Sequence, residues 1–126
     1  MDFARRGFAD VAGKNIHPQD VEEIVCEHPR LRDGRAVAFG IFNSELGTED
    51  IVVVAELDEE TNVEKGPIER VVREAVVAEL GVSLRAIYLK PPRWVIKSTA
   101  GKPARSATRD KLLQEHPEIK ESMGRV

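Results

Sequence analysis

The chain has 126 residues, 41% of them hydrophobic and 33% charged, with a formal net charge of −3 at pH 7. That length suits one ordinary domain with a modest core, and the negative balance argues against a general nucleic-acid binder. The longest apolar run, Ile51 to Ala55, is far short of the ~20 residues a bilayer span needs, so no membrane partner is expected. Met1-Asp2-Phe3-Ala4-Arg5-Arg6 has no apolar stretch behind its arginines and does not read as a secretory signal. A single cysteine, Cys26, excludes an internal disulfide and suits a reducing cytosol, so a cytoplasmic location is expected.

The first helix signal is His17-Pro18-Gln19-Asp20. Pro18 fits the first helical position, Asp20 the first turn, and Val21, Ile24 and Val25 form one apolar stripe that Pro29 ends. Ala36 to Phe42 reads as a buried strand. The loop Asn43 to Thr48 leads to a second strand, Ile51 to Leu57, and the short glycine-containing connection predicts an antiparallel pair. An acidic loop follows, and Gly66-Pro67 opens a helix whose Ile68, Val71, Val72, Ala75, Val76 and Leu80 repeat at three and four residues. Gly81 stands where a glycine cap belongs. Leu84 to Leu89 is a third strand, stopped by Pro91-Pro92, and a last helix runs from Ser106 or Thr108 to Glu115 with Leu112 and Leu113 inward. The order predicts an α+β fold: a small sheet of about three main strands with about three helices packed on it.

Charge is unevenly distributed. Arg85 to Lys111 carries Arg85, Lys90, Arg93, Lys97, Lys102, Arg105, Arg109 and Lys111 against one acid, Asp110. Such a stretch is either a solvated basic face or the approach to an anionic molecule. Within it, Lys97-Ser98-Thr99-Ala100-Gly101-Lys102-Pro103-Ala104-Arg105 has neither helical nor strand period and reads as an exposed loop. A nucleotide-cradling Walker loop is excluded, because Ile96 stands where its first glycine belongs and Pro103 where its Ser or Thr belongs. His17, His28 and His116 lack metal-ligand spacing and have no cysteine companions, so no metal site is expected. His28 and His116 read as helix-end surface, Cys26 as a buried, inert thiol, and Trp94 as core.

The loop resembles the closing signature of the AMP-forming acyl-CoA synthetase, adenylation-domain and luciferase superfamily, P-K-T-x-S-G-K-(I/V)-x-R. Lys97, Gly101, Lys102 and Arg105 match at the right spacing, whereas Ile96, Ala100 and Pro103 depart from it. Upstream, Gly13-Lys14-Asn15-Ile16-His17-Pro18-Gln19-Asp20-Val21-Glu22 resembles that superfamily's R-G-x-N-I-x-P-x-(D/E)-(I/V)-E stretch. The strands Ala36 to Leu57, with Leu46-Gly47 between them, sit where it has its lid-domain hairpin. The resemblance covers residues 13 to about 115, and two motifs in order at domain spacing are far more specific than one.

The resemblance implies a C-terminal lid domain spanning 13–116, a leader or hinge remnant at 1–12 and a tail at 117–126. Lys102 would be the adenylation lysine, Gly101 and Arg105 its loop support, and Gly13 the face presented to an acceptor thiol. Asp10, in Gly7-Phe8-Ala9-Asp10, would be the hinge. There the pattern departs: Phe8 replaces an arginine, and only Val11 and Ala12 separate Asp10 from Gly13, so either a short strand is deleted or the first dozen residues are a leader. Gly13 reads equally as a plain turn glycine. ATP and magnesium would be bound mainly by a large N-terminal adenylation core domain, in cis or in trans, together with the carboxylic-acid substrate. Coenzyme A is the implied acceptor, with a carrier-protein thiol as alternative. A stand-alone, non-catalytic interaction domain of the same fold is the rival of a different class.

Overall fold

Alternation along one central strand organises the molecule. The structure is a computed structural model that describes residues 8–11, 14–43, 48–58, 64–101 and 103–119, of which 8–11, 14–15, 42–43 and 48–49 are described at the backbone alone. Its elements are β1 (Phe8–Val11), β2 (Lys14–Ile16), α1 (Pro18–Val25), β3 (Leu31–Asn43), β4 (Thr48–Leu57), α2 (Lys65–Leu80), β5 (Leu84–Lys90) and α3 (Arg105–Glu115). β1 and β2 form a small antiparallel ribbon. The main sheet has the order β3-β4-β5, with β3 antiparallel and β5 parallel to the central β4. A parallel neighbour cannot be reached by a tight turn, and α2 supplies the crossover. Three helices on a three-stranded mixed sheet make this the α+β layer predicted from sequence.

Residues 51–57 of β4 are all buried, and they alternate between two cores. Ile51, Val53, Ala55 and Leu57 meet Val21, Ile24 and Val25 of α1 and Ile68, Val72 and Val76 of α2. Val52 and Val54 face the other way, onto Val37, Phe39, Trp94, Val95 and Leu112 of the α3 side. Pro18 opens α1 as expected, and Gly81 ends α2 at φ 72°, its N–H donating to the Val77 carbonyl at 2.9 Å. Val71 departs from expectation, being 50% exposed. At 100° per residue it lies about 100° from Val72, beyond the edge of the buried stripe.

β3 starts at Leu31, earlier than the apolar run suggests. Its register with β4 shifts between Leu31 and Ala36, and Gly34 takes φ 72° inside that irregularity, where a left-handed residue lets a bulge form. β1 was not legible as a strand, yet residues 8–11 are one. Leu46 and Gly47 lie outside the described residues. Among those described, no helix is long and apolar enough to cross a membrane.

Candidate functional site

The segment from β5 to α3 is a loop tied down at its base. Pro91 to Trp94 is a tight turn closed by the Trp94 N–H on the Pro91 carbonyl at 3.2 Å, with Arg93 at φ 72°. Trp94 and Val95 then enter the core. The Val95 N–H donates to Glu56 Oε2 at 2.9 Å, and the Ile96 N–H to Thr108 Oγ1 at 3.2 Å. Across the loop, the Ala104 N–H donates to the Ile96 carbonyl at 2.8 Å, and Lys97 faces Pro103 in an antiparallel bridge. At the tip the Gly101 N–H closes a turn on the Ser98 carbonyl at 3.0 Å. Lys97 to Gly101 are exposed. Gly101 has φ 83°, and a Cβ there would meet nothing within 4 Å, so backbone conformation rather than crowding selects glycine.

Two carboxylates hold this loop from outside it. Glu56 is fully buried on β4; its second oxygen lies 3.9 Å from Arg32 Nη1 and has no hydrogen-bond partner among the described residues. Glu22 of α1 takes a two-pronged bond from Arg105, the first residue of α3, with Nη2 on Oε1 at 2.6 Å and Nε on Oε2 at 3.0 Å. Oε2 also accepts the Ala38 N–H at 2.9 Å. Burial pushes the Glu22 carboxyl up, against the pull of the Arg105 and Ala38 bonds.

Trp94 is core, as expected, and it also carries charge on its ring. Lys111 Nζ stands 4.3 Å and Lys90 Nζ 5.2 Å from the ring centroid. Lys111 donates to the Trp94 carbonyl at 2.7 Å, and the Trp94 indole to Glu115 at 3.2 Å. His116 is more than helix-end surface, since its ring packs 4.4 Å from Tyr88 and its Nε2 meets Lys90 Nζ at 2.8 Å. His28 caps its own turn, its Nδ1 accepting the Arg30 N–H at 3.1 Å. Cys26 ends α1 half-buried, its thiol 3.4 Å from the Arg32 carbonyl and its pKa raised by burial, so the thiolate is disfavoured. Among the described residues no group of three or more His, Cys, Asp or Glu converges to hold a metal ion.

Of the residues singled out from sequence, Gly101 and Arg105 sit at the tip and the far end of this loop. Lys102 and Gly13 lie outside the described residues, and Asp10 is in β1, described at the backbone alone. Glu56, Thr108 and the pairing role of Glu22 were missed. One signal for Glu22 existed: it and Arg105 are the terminal charged residues of the two recognised motifs, and they carry opposite signs.

No protein-family model matches the chain. A medium-chain-fatty-acid–(acyl-carrier-protein) ligase, JamA, of Moorena producens (strain JHB) is 30% identical over 107 residues, 82% of this chain and 18% of the relative. A solved fatty acyl-adenylate ligase, from work on the E. coli and L. pneumophila enzymes, superposes with a TM-score of 0.66 at 25% identity, covering 90% of this chain and 20% of its own. McyG A-PCP complexed with phenylalanyl-adenylate superposes with a TM-score of 0.73 at 16% identity, over 94% of this chain and 21% of that one. The chain thus spans about a fifth of the length of the relatives it matches. In fold and in sequence the chain belongs to the C-terminal (lid) domain group of the AMP-forming acyl-CoA synthetase, adenylation-domain and luciferase superfamily.

Proposed function

We propose that this chain is the catalytic lid of an ATP-dependent, AMP-forming acid–thiol ligase, and that Lys102 is the residue it delivers to adenylation. The observation that carries the reading is the loop from Ile96 to Ala104. Its base is closed by hydrogen bonds, its described tip from Lys97 to Gly101 is exposed, and Lys102 is the next residue in sequence. In adenylation a carboxylate oxygen bonds to the α-phosphorus of ATP and pyrophosphate leaves with the electrons of the broken P–O bond. Two anions must meet, so an ammonium on a long stem, aimed from a fixed base, lowers the barrier by position and charge.

The remaining roles follow the same resemblance. Residues 13–116 form the lid, 117–126 a tail, and 1–12 a leader or hinge remnant, with Asp10 as its pivot in the second case. Gly13 faces the acceptor thiol after rotation, and Gly101 and Arg105 support the lysine loop. ATP, magnesium and the carboxylic acid are held by a large N-terminal core domain that this chain serves in cis or in trans. The motif resemblance implies coenzyme A as acceptor; the carrier-protein ligase among the relatives favours a carrier-protein thiol, and we adopt that finer reading.

The test is ATP–pyrophosphate exchange by the full-length ligase. Lys102→Ala should lower exchange on the order of 100- to 1000-fold, the cost of one well-aimed charge donor. Exchange at near wild-type rate would reject the assignment, and with it favour the non-catalytic interaction domain. Acyl transfer from supplied acyl-adenylate to coenzyme A, and separately to a phosphopantetheine-bearing carrier protein, decides the acceptor. Faster transfer to free coenzyme A would reverse our choice.

A further inference from the structure

The Glu22 carboxylate ties α1 to the neighbouring β3 and, 83 residues away, to α3. It meets the first residue of α3 through both oxygens, and it accepts a backbone N–H of β3 from its seat on α1. An exposed ion pair would fix little. This one is fork-on-fork and largely withdrawn from water, with the Arg105 and Glu22 side chains 26% and 15% exposed. The Ala38 bond adds direction, because it holds the carboxylate plane while Arg105 engages it.

Arg105 has a particular place in the chain. It opens α3, and Ala104 before it caps the helix with no side-chain hydrogen bond. The helix start therefore lacks the usual local fastening, and the Glu22 pair supplies a lateral one. The same helix holds the loop base one turn further on, through Thr108 on Ile96. Where α3 begins relative to α1 thus sets the pitch of the loop that ends at Ala104.

We propose that Glu22 is a positioning residue for adenylation, acting through Arg105 to set the pitch of the loop that carries Lys102. The proposal rests on the reading of Lys102 given above. Its consequence is specific. A pair that merely stabilised the fold would lower every activity of the enzyme together. A pair that aims one loop acts on the step using that loop, and on turnover rather than on substrate binding.

The experiment uses the full-length ligase with Glu22→Gln, Arg105→Lys, the double variant and Lys102→Ala. Glu22→Gln is close to isosteric, and Arg105→Lys keeps charge while losing the two-pronged fork. Either single variant should lower kcat of ATP–pyrophosphate exchange by ~10- to 100-fold, the effect of a small misplacement, with KM for ATP held within about threefold. Transfer from supplied acyl-adenylate to the thiol should stay within about threefold of wild type, and the double variant should be no slower than the worse single. The proposal is overturned if Glu22→Gln exchanges at wild-type rate, if both half-reactions fall together, or if the two single losses multiply in the double variant. If Glu22→Gln does not fold, Arg105→Lys alone carries the same comparison of half-reactions. Lys102→Ala separates the two ideas: lost exchange there with normal exchange in Glu22→Gln sinks only the positioning role, whereas normal exchange in Lys102→Ala sinks the loop reading on which it rests.

Discussion

Replacing Glu56 by Gln and by Ala, and comparing those two variants with each other, measures what holds the entry to the loop. Glu56 has no exposed surface; one oxygen accepts the Val95 N–H at 2.9 Å and the other lies 3.9 Å from Arg32 Nη1. Gln keeps the volume and an oxygen for Val95 while deleting the charge. Ala deletes the acceptor and one buried methylene as well, and neither variant carries the buried charge, so it cancels from the comparison. An orphaned buried N–H costs about 1–3 kcal/mol, and the one lost methylene costs about 0.8 kcal/mol. Glu56→Ala should therefore be less stable than Glu56→Gln by about 2–4 kcal/mol, or ~7–15 °C in Tm for a domain of this size. Urea unfolding is the assay, and fluorescence of the single tryptophan, Trp94, reports from the residue beside Val95. The Arg32 left behind is 41% exposed and can turn to water, so no stranded charge enlarges the loss. If the two variants unfold within about 1 kcal/mol of each other, the Val95 bond is not what fastens the segment.

Further expectations can be checked on the same domain. Arg93 is a non-glycine residue at φ 72°, and Arg93→Gly should stabilise by up to about 1 kcal/mol, the relief of left-handed strain exceeding glycine's extra unfolded entropy; a fall in Tm would show that the arginine side chain makes good the strain. Glu22 and Glu115 should give pH dependences of opposite sign. The Glu22 carboxyl is raised above 4.5 by burial, so the stability it contributes is full below that value and is lost as pH rises through the raised pKa. Burial acts upward on Glu115 too, but the Lys90 bond and charge, the Trp94 indole and Lys111 together hold it below 4.5. Its contribution is full above 4.5 and is lost as pH falls through the depressed pKa. Unfolding midpoints of Glu22→Gln and Glu115→Gln against wild type from about pH 3 to 7 should therefore diverge in opposite senses, and parallel curves would contradict the assigned environments.

The long elements were legible because each repeats one signal. α2 shows helical spacing from Ile68 to Val76 with Gly81 behind it, and β4 is a run of β-branched residues. The ribbon of β1 and β2 was not legible, because strands of 4 and 3 residues are too short to display alternation. The parallel pairing of β5 was also invisible, since register across a crossover is decided by packing and not by a turn. At the loop, Gly101 and Arg105 could be read because their neighbours in sequence carry the pattern. Glu56 and Glu22 could not. Their partners lie 39 and 83 residues away, and a polar residue in a buried strand or beside a helix stripe carries no mark of what it will grip.

The two-sided use of β4 has a consequence for how such a domain changes over evolutionary time. Substitutions that reshape the α1–α2 layer and substitutions that reshape the Trp94–Leu112 layer share a backbone but no side-chain cavity. Their energetic effects should be close to additive. One layer can drift to suit a new neighbouring domain while the other preserves the seating of the loop. Glu22 and Arg105 reach from one layer to the other, and a change at either has to be accommodated by both.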